Sequence, residues 1–172
     1  MTKAVFLDRD ELRIDTPPNG QGWLVRAYSR IEDLQMMPAP PEVYETVPTW
    51  QGAGDRALRS FPLRYRLLES DYPDLDDVPR ELSISDALDA LDDSCWDYFS
   101  PAEGLKLGGW PTLLQGEIFW APFNEHPANP EYVFQIDSLY EANFFVGDRG
   151  VCYFGRGTGD ARDTWTFNWT CL

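Results

Sequence analysis

Trp165-Thr166-Phe167-Asn168-Trp169-Thr170-Cys171 is the stretch that decides the fold. Trp165, Phe167, Trp169 and Cys171 take every second position, and Thr164, Thr166, Asn168 and Thr170 take the positions between. A period of two puts the aromatic set on one side of a strand and the small polar set on the other. The pattern predicts a strand in a sheet with one buried face. Upstream, residues 151–154 read as a short strand after the hairpin-type turn Gly147-Asp148-Arg149-Gly150. Further upstream, Tyr132, Phe134 and Ile136 alternate with Val133, Gln135 and Asp137, which predicts another strand.

The N-terminal half carries mixed signals. Residues 4–7 and 12–14 read as short strands around a charged turn, 16–22 as a turn cluster, and 23–28 as a strand. Ser29-Arg30-Ile31-Glu32 is a capping-box pattern, which predicts a short helix to about Met37 before Pro38. Phe61, Leu63, Tyr65 and Leu67 alternate with Arg64 and Arg66, predicting a half-exposed strand. The clearest helix is expected over residues 85–99. At about 100° per residue, Ile84, Leu88, Leu91, Cys95 and Phe99 share one face, and Asp86, Asp89, Asp93 and Asp97 share the opposite one. A length of 172 residues suits one domain, and 7 Trp with 14 Pro favour strands and loops. The expectation is an α+β fold: a β-rich single domain over residues 1–172, with a predominantly antiparallel sheet and a few short helices.

Charge is distributed unevenly. Residues 1–68 carry 9 Lys/Arg against 9 Asp/Glu, residues 105–172 carry 4 against 8, and residues 69–104 carry 1 against 12. The last segment therefore holds 1 − 12 = −11 of the net −15. Such a surface repels nucleic acid and anionic membranes and attracts cationic partners. Like-charged Asp86, Asp89, Asp93 and Asp97 would be i+3 and i+4 neighbours, at a cost of about 0.2–0.5 kcal/mol per pair. Stability alone does not select that stripe. Cys95, Cys152 and Cys171 are an odd number without CxxC spacing, so neither a disulfide framework nor a zinc site is expected. With no signal-peptide core at the N-terminus and no membrane-length apolar run, a cytoplasmic location is expected.

Reactive chemistry has few candidates. Val5-Phe6-Leu7-Asp8-Arg9-Asp10 is similar to the first motif of haloacid-dehalogenase-like phosphatases, in which a strand delivers an Asp nucleophile and a second Asp acts as acid and base. Glu11 stands where a turn glycine is expected, and no strand–helix alternation follows. His126, in the loop 122–130, is the single histidine and the other candidate for a hydrolase. Asp74, Asp76 and Asp77 attract cations, but Val78-Pro79 breaks the spacing of a calcium loop. Gln135 and Asp137, on one face of their strand, are read as satisfying loop backbone groups. No cofactor, metal site or catalytic residue is expected.

The C-terminal part resembles the YwqG-like family of bacterial domains. The resemblance rests on Leu107-Gly108-Gly109-Trp110-Pro111 with Gln115, then Phe134-Gln135-Ile136-Asp137-Ser138, then Gly147-Asp148-Arg149-Gly150 leading to Tyr153-Phe154, and the closing Trp165, Phe167, Trp169 and Cys171. It covers residues 105–172, with 1–104 as a divergent N-terminal part. It implies a β-rich domain, and some relatives resemble immunity proteins encoded beside polymorphic toxins. Together with the acid block, this makes the expected function a toxin-neutralising immunity protein that works in bacterial competition by protein–protein interaction. Its partner would be a basic cognate toxin, met by Asp86, Asp89, Asp93 and Asp97, by Asp74, Asp76 and Asp77, and by the aromatic anchors Tyr72 and Trp96. The alternatives are a housekeeping binding module, or a hydrolase using Asp8 and Asp10 or His126.

Overall fold

A computed structural model of the chain describes residues 2–7, 12, 22–30, 32, 35, 63–73, 101–115 and 126–172. Six strands lie within them: β1 (Thr2–Leu7), β2 (Trp23–Tyr28), β3 (Lys106–Leu107), β4 (Glu131–Asp137), β5 (Val151–Arg156) and β6 (Trp165–Thr170). β1 and β2 form an antiparallel pair, and the other four form an antiparallel sheet in the order β3-β4-β5-β6. The only helical elements among the described residues with named bounds are the 3-10 turns Tyr140–Ala142 and Gly159–Ala161. The chain is thus strand-rich, as the alternating C-terminal pattern predicts.

The register sorts the side chains of the larger sheet into two faces. Leu107, Phe134, Phe154 and Phe167 line up across all four strands, and Ile136, Cys152 and Trp169 form a parallel row on the same face. The rings of Phe134 and Phe154 stack at 4.4 Å, and Phe154 meets Phe167 at 5.1 Å. Onto this face pack Trp23 and Val25 of β2, with Trp23 5.6 Å from Phe167. A two-stranded ribbon is marginal by itself, so burial against these aromatics is what holds β1 and β2 in place. Leu12 joins the same core, and its carbonyl accepts a hydrogen bond from Trp169 Nε1 at 3.0 Å.

The opposite face carries Lys106, Gln135, Tyr153 and Asn168 in one row, with Asp137, Val151 and Thr170 in the next. It is not the solvated side that an aromatic/polar alternation implies. Thr166, Asn168 and Thr170 are all buried. Leu113 and Leu114 pack there against Val151 and Tyr153, so residues 101–115 form a cover.

Two expected elements differ. Leu63, Tyr65 and Leu67 are not in a strand, and residues 63–70 are exposed at both parities, with Tyr65 99% exposed. Alternation is a local property, whereas a strand also needs an edge to pair with. In β4, a bulge falls between Tyr132 and Phe134, so Tyr132 pairs with Gly155 and lies on the polar face rather than beside Phe134. Leu12 is outside any strand, while Arg13 and Ile14 lie outside the described residues. Of the expected 29–37 helix, Glu32 is in a 3-10 turn and Gln35 is not helical; residues 31, 33, 34, 36 and 37 lie outside the described residues. The 85–99 segment is also outside them.

Candidate functional site

The densest polar cluster sits where residues 101–115 cross the polar face. Gln135 is fully buried on β4, and a buried amide must find partners on every side. Its Nε2 donates to the Gly104 carbonyl at 2.9 Å and to Asp137 Oδ1 at 2.9 Å, with Thr112 Oγ1 a third, longer contact at 3.2 Å. Its Oε1 accepts from Thr112 N at 2.9 Å and from Tyr132 Oη at 3.2 Å. The bulge brings Tyr132 into this set. Asp137, two residues along the same face, accepts from Gly104 N at 2.9 Å through Oδ2. Tyr153 Oη donates to the Thr112 carbonyl at 2.7 Å and shares a 3.2 Å hydrogen bond with Thr170 Oγ1.

Asp71 reaches the same segment from its outer side. Oδ1 accepts from Ala102 N at 2.8 Å, and Oδ2 accepts from Trp110 N at 2.8 Å and from Lys106 Nζ at 3.0 Å. The Asp71–Lys106 pair is well sheltered, with the two side chains only 11% and 10% exposed. Gly109 has φ +72°, and a Cβ there would collide with the Asp71 carboxylate. Glycine is therefore required both for the backbone conformation and for the close approach.

The two carboxylates titrate in opposite senses. Burial pushes Asp71 upward, but the bonds from Ala102 N, Trp110 N and Lys106 outweigh it, and the net shift is downward. For Asp137 burial dominates over the bonds from Gln135 and Gly104, so it is held above the ordinary range. Burial, then the Asp137 charge, pushes Tyr132 up. Tyr153 is pushed up to about 12, mainly by burial. Cys152 is raised by burial within the core. Neither tyrosine nor Cys152 is activated as a nucleophile at neutral pH.

The cluster is a clasp. Gln135 and Asp137 satisfy the backbone of residues 104–112, as read from their strand positions. In the sequence Asp71 stands out only as one member of the acid block, and nothing local signals its bonding role. Its partners lie 31 to 39 positions away, beyond the reach of any local pattern. Of the expected partner-contact residues, Tyr72 is placed beside Asp71 and is 39% exposed. Asp74, Asp76, Asp77, Asp86, Asp89, Asp93, Asp97 and Trp96 lie outside the described residues, as do Asp8 and Asp10. His126 is half-buried in a turn, where its Nδ1 accepts from Ala128 N at 3.1 Å and its carbonyl accepts from Asn129 N at 2.8 Å. Gln115 Nε2 donates to the Cys171 carbonyl at 2.6 Å, tying the end of the cover to the chain terminus. Among the described residues, no three His, Cys, Asp or Glu side chains gather as metal ligands, and no helix is long and apolar enough to cross a membrane.

The molecule defined so far is a β-rich protein whose antiparallel sheet buries an aromatic face and a hydrogen-bonded polar face. No family model, curated protein or solved structure matches it.

Proposed function

We propose that this chain is an immunity protein that binds a basic cognate toxin through its acidic surface and neutralises it in the cytoplasm. The observation that carries the reading is the concentration of 12 carboxylates against 1 cation within residues 69–104. Toxins that engage nucleic-acid phosphates are cationic where they act. A dense set of carboxylates imitates that substrate and raises the rate of encounter. The resemblance of residues 105–172 to YwqG-like domains, some of which look like immunity proteins, supports the same reading. Residues 85–99 supply its helix, making the fold α+β, with Asp86, Asp89, Asp93 and Asp97 toward the toxin and Tyr72 and Trp96 as anchors. The chain acts by occupying the toxin rather than by catalysis.

The product of the neighbouring open reading frame is the test partner. Co-expressed with it in a bacterial host, the wild-type chain is expected to restore growth. The D86N/D89N/D93N/D97N variant is expected to protect less and to associate more slowly, with a shallower dependence on salt. Full protection by that variant, at an unchanged rate, removes the acidic surface from the interface.

A further inference from the structure

Two unpaired stretches of backbone meet at the β3 end of the larger sheet. The first is residues 63–70, exposed throughout and without a backbone hydrogen bond among the described residues. The chain runs from them directly into Asp71, which is bound to Ala102 N, Lys106 Nζ and Trp110 N. The second is the outer edge of β3. Gly108 N donates to the Val133 carbonyl at 2.8 Å and Lys106 is paired with Gln135, so the alternation of the ladder turns the N–H and C=O of Leu107 away from β4. They meet no partner among the described residues. Leu107 ends the apolar row that runs through Phe134, Phe154 and Phe167, and it is 76% exposed. We propose that residues 63–68 of one copy of this chain add as a strand to the β3 edge of a second copy, and that the exchange is reciprocal, giving a two-fold dimer.

Pattern, charge and position agree on that occupant. Leu63, Tyr65 and Leu67 alternate with Arg64 and Arg66, so a strand here puts three apolar side chains on one face and two cations on the other. Its apolar face continues the row that ends bare at Leu107. Residues 63–68 hold no acid, and the rest of the chain carries −15 − 2 = −17. A cationic arm fits an anionic body, and a second copy is one. Beside its β3 edge stands Glu103, exposed and without an ion pair among the described residues. The same charge makes the arm a poor fit to a basic toxin, so the dimer is independent of the toxin-binding reading. Asp71 fixes the foot of the arm beside β3 of its own chain, so a two-fold axis at that edge sets each arm against the other copy's edge. Repulsion between the two anionic bodies opposes the exchange. The dimer is therefore weak, and the chain is a monomer at the low concentrations of unfolding experiments.

The test is sedimentation velocity of the full chain from about 5 μM to about 500 μM, a range that brackets a Kd of about 100 μM. The wild type is expected to shift from one chain towards two. Amide exchange at residues 63–68 and at Leu107 should slow as concentration rises. R64E/R66E reverses the charge of the arm, and Leu107→Lys sets a cation on the edge that receives it. Each variant alone is expected to weaken association roughly tenfold or more. Mixed together they are expected to recover it, because the intact arm of the Leu107→Lys chain meets the intact edge of the R64E/R66E chain. Leu105→Lys, on the same segment and 44% exposed, replaces Leu107→Lys if amide exchange along β5 and β6 shows that variant to be loosened. A wild type that remains a single chain at the highest concentration overturns the proposal. So does association of either variant at the wild-type level. A mixture no better than its two components also overturns it, since arms would then pair with arms or edges with edges. Loss of growth protection in the toxin assay overturns the immunity reading and leaves the dimer standing.

Discussion

Asp71 and Asp137 hold the same short segment, yet their environments give them opposite responses to acid. The folded-state pKa of Asp71 is depressed, so its stabilisation is present above the unfolded value, about 3.9, and is lost as pH falls through the lower folded value. That of Asp137 is raised, so the folded state gains stability as pH falls through the raised value and keeps that gain below the unfolded one. Each variant to Asn removes the titration and turns an acceptor into a donor facing N–H groups, so both should be less stable than wild type at pH 7. Urea unfolding at pH 7 and at about pH 3 separates them. The deficit of Asp71→Asn is expected to shrink in acid and that of Asp137→Asn to grow. Parallel slopes would mean that the two carboxylates sense the same surroundings, contrary to the burial and bonding that distinguish them.

At the scale of elements, two alternating stretches look alike in sequence and differ in what they do. Residues 63–67 and 165–169 both place apolar side chains at every second position. The second is paired along its length with β5 and buried, while the first has no strand partner among the described residues and stands in solvent. Phe154→Ala in β5 removes the ring stacked on Phe134 and packed on Phe167, and is expected to cost about 3–5 kcal/mol of unfolding free energy. Leu67→Ser, at a residue 89% exposed, should change stability by no more than about 0.5 kcal/mol. A large loss from Leu67→Ser in denaturant titration would show that residues 63–68 are packed after all. The same contrast marks what the sequence makes legible. Alternation finds β4 and β6 and gives the faces of Gln135 and Asp137, and the turn clusters that precede β2 and β5 mark off those two. It does not foresee the bulge that turns Tyr132 to the polar face, the burial of Thr166, Asn168 and Thr170 on that face, or the arrival of Asp71 at Lys106. Each of those depends on segments distant along the chain, which no window of neighbouring residues contains.

For the whole molecule, the arrangement of charge sets two terms against each other. The sheet rests on burial of an aromatic core and on a sheltered ion pair, neither of which salt screens strongly. The net charge of −15, with −11 of it in residues 69–104, is self-repulsion that salt does screen. Added sodium chloride should therefore raise the melting temperature at pH 7, by a few degrees if screening relieves about 1 kcal/mol. Replacing Asp86, Asp89, Asp93 and Asp97 by Asn changes the net charge to −15 + 4 = −11 and should flatten that rise. Reversing Lys106 to Glu adds charge and breaks the sheltered pair together, so it should lower the melting temperature at every salt concentration and steepen the response. Differential scanning calorimetry across a salt series reads all three chains. A melting temperature that falls with salt in the wild type would mean that surface ion pairs outweigh the repulsion, and that the carboxylates of residues 69–104 are already neutralised within the fold.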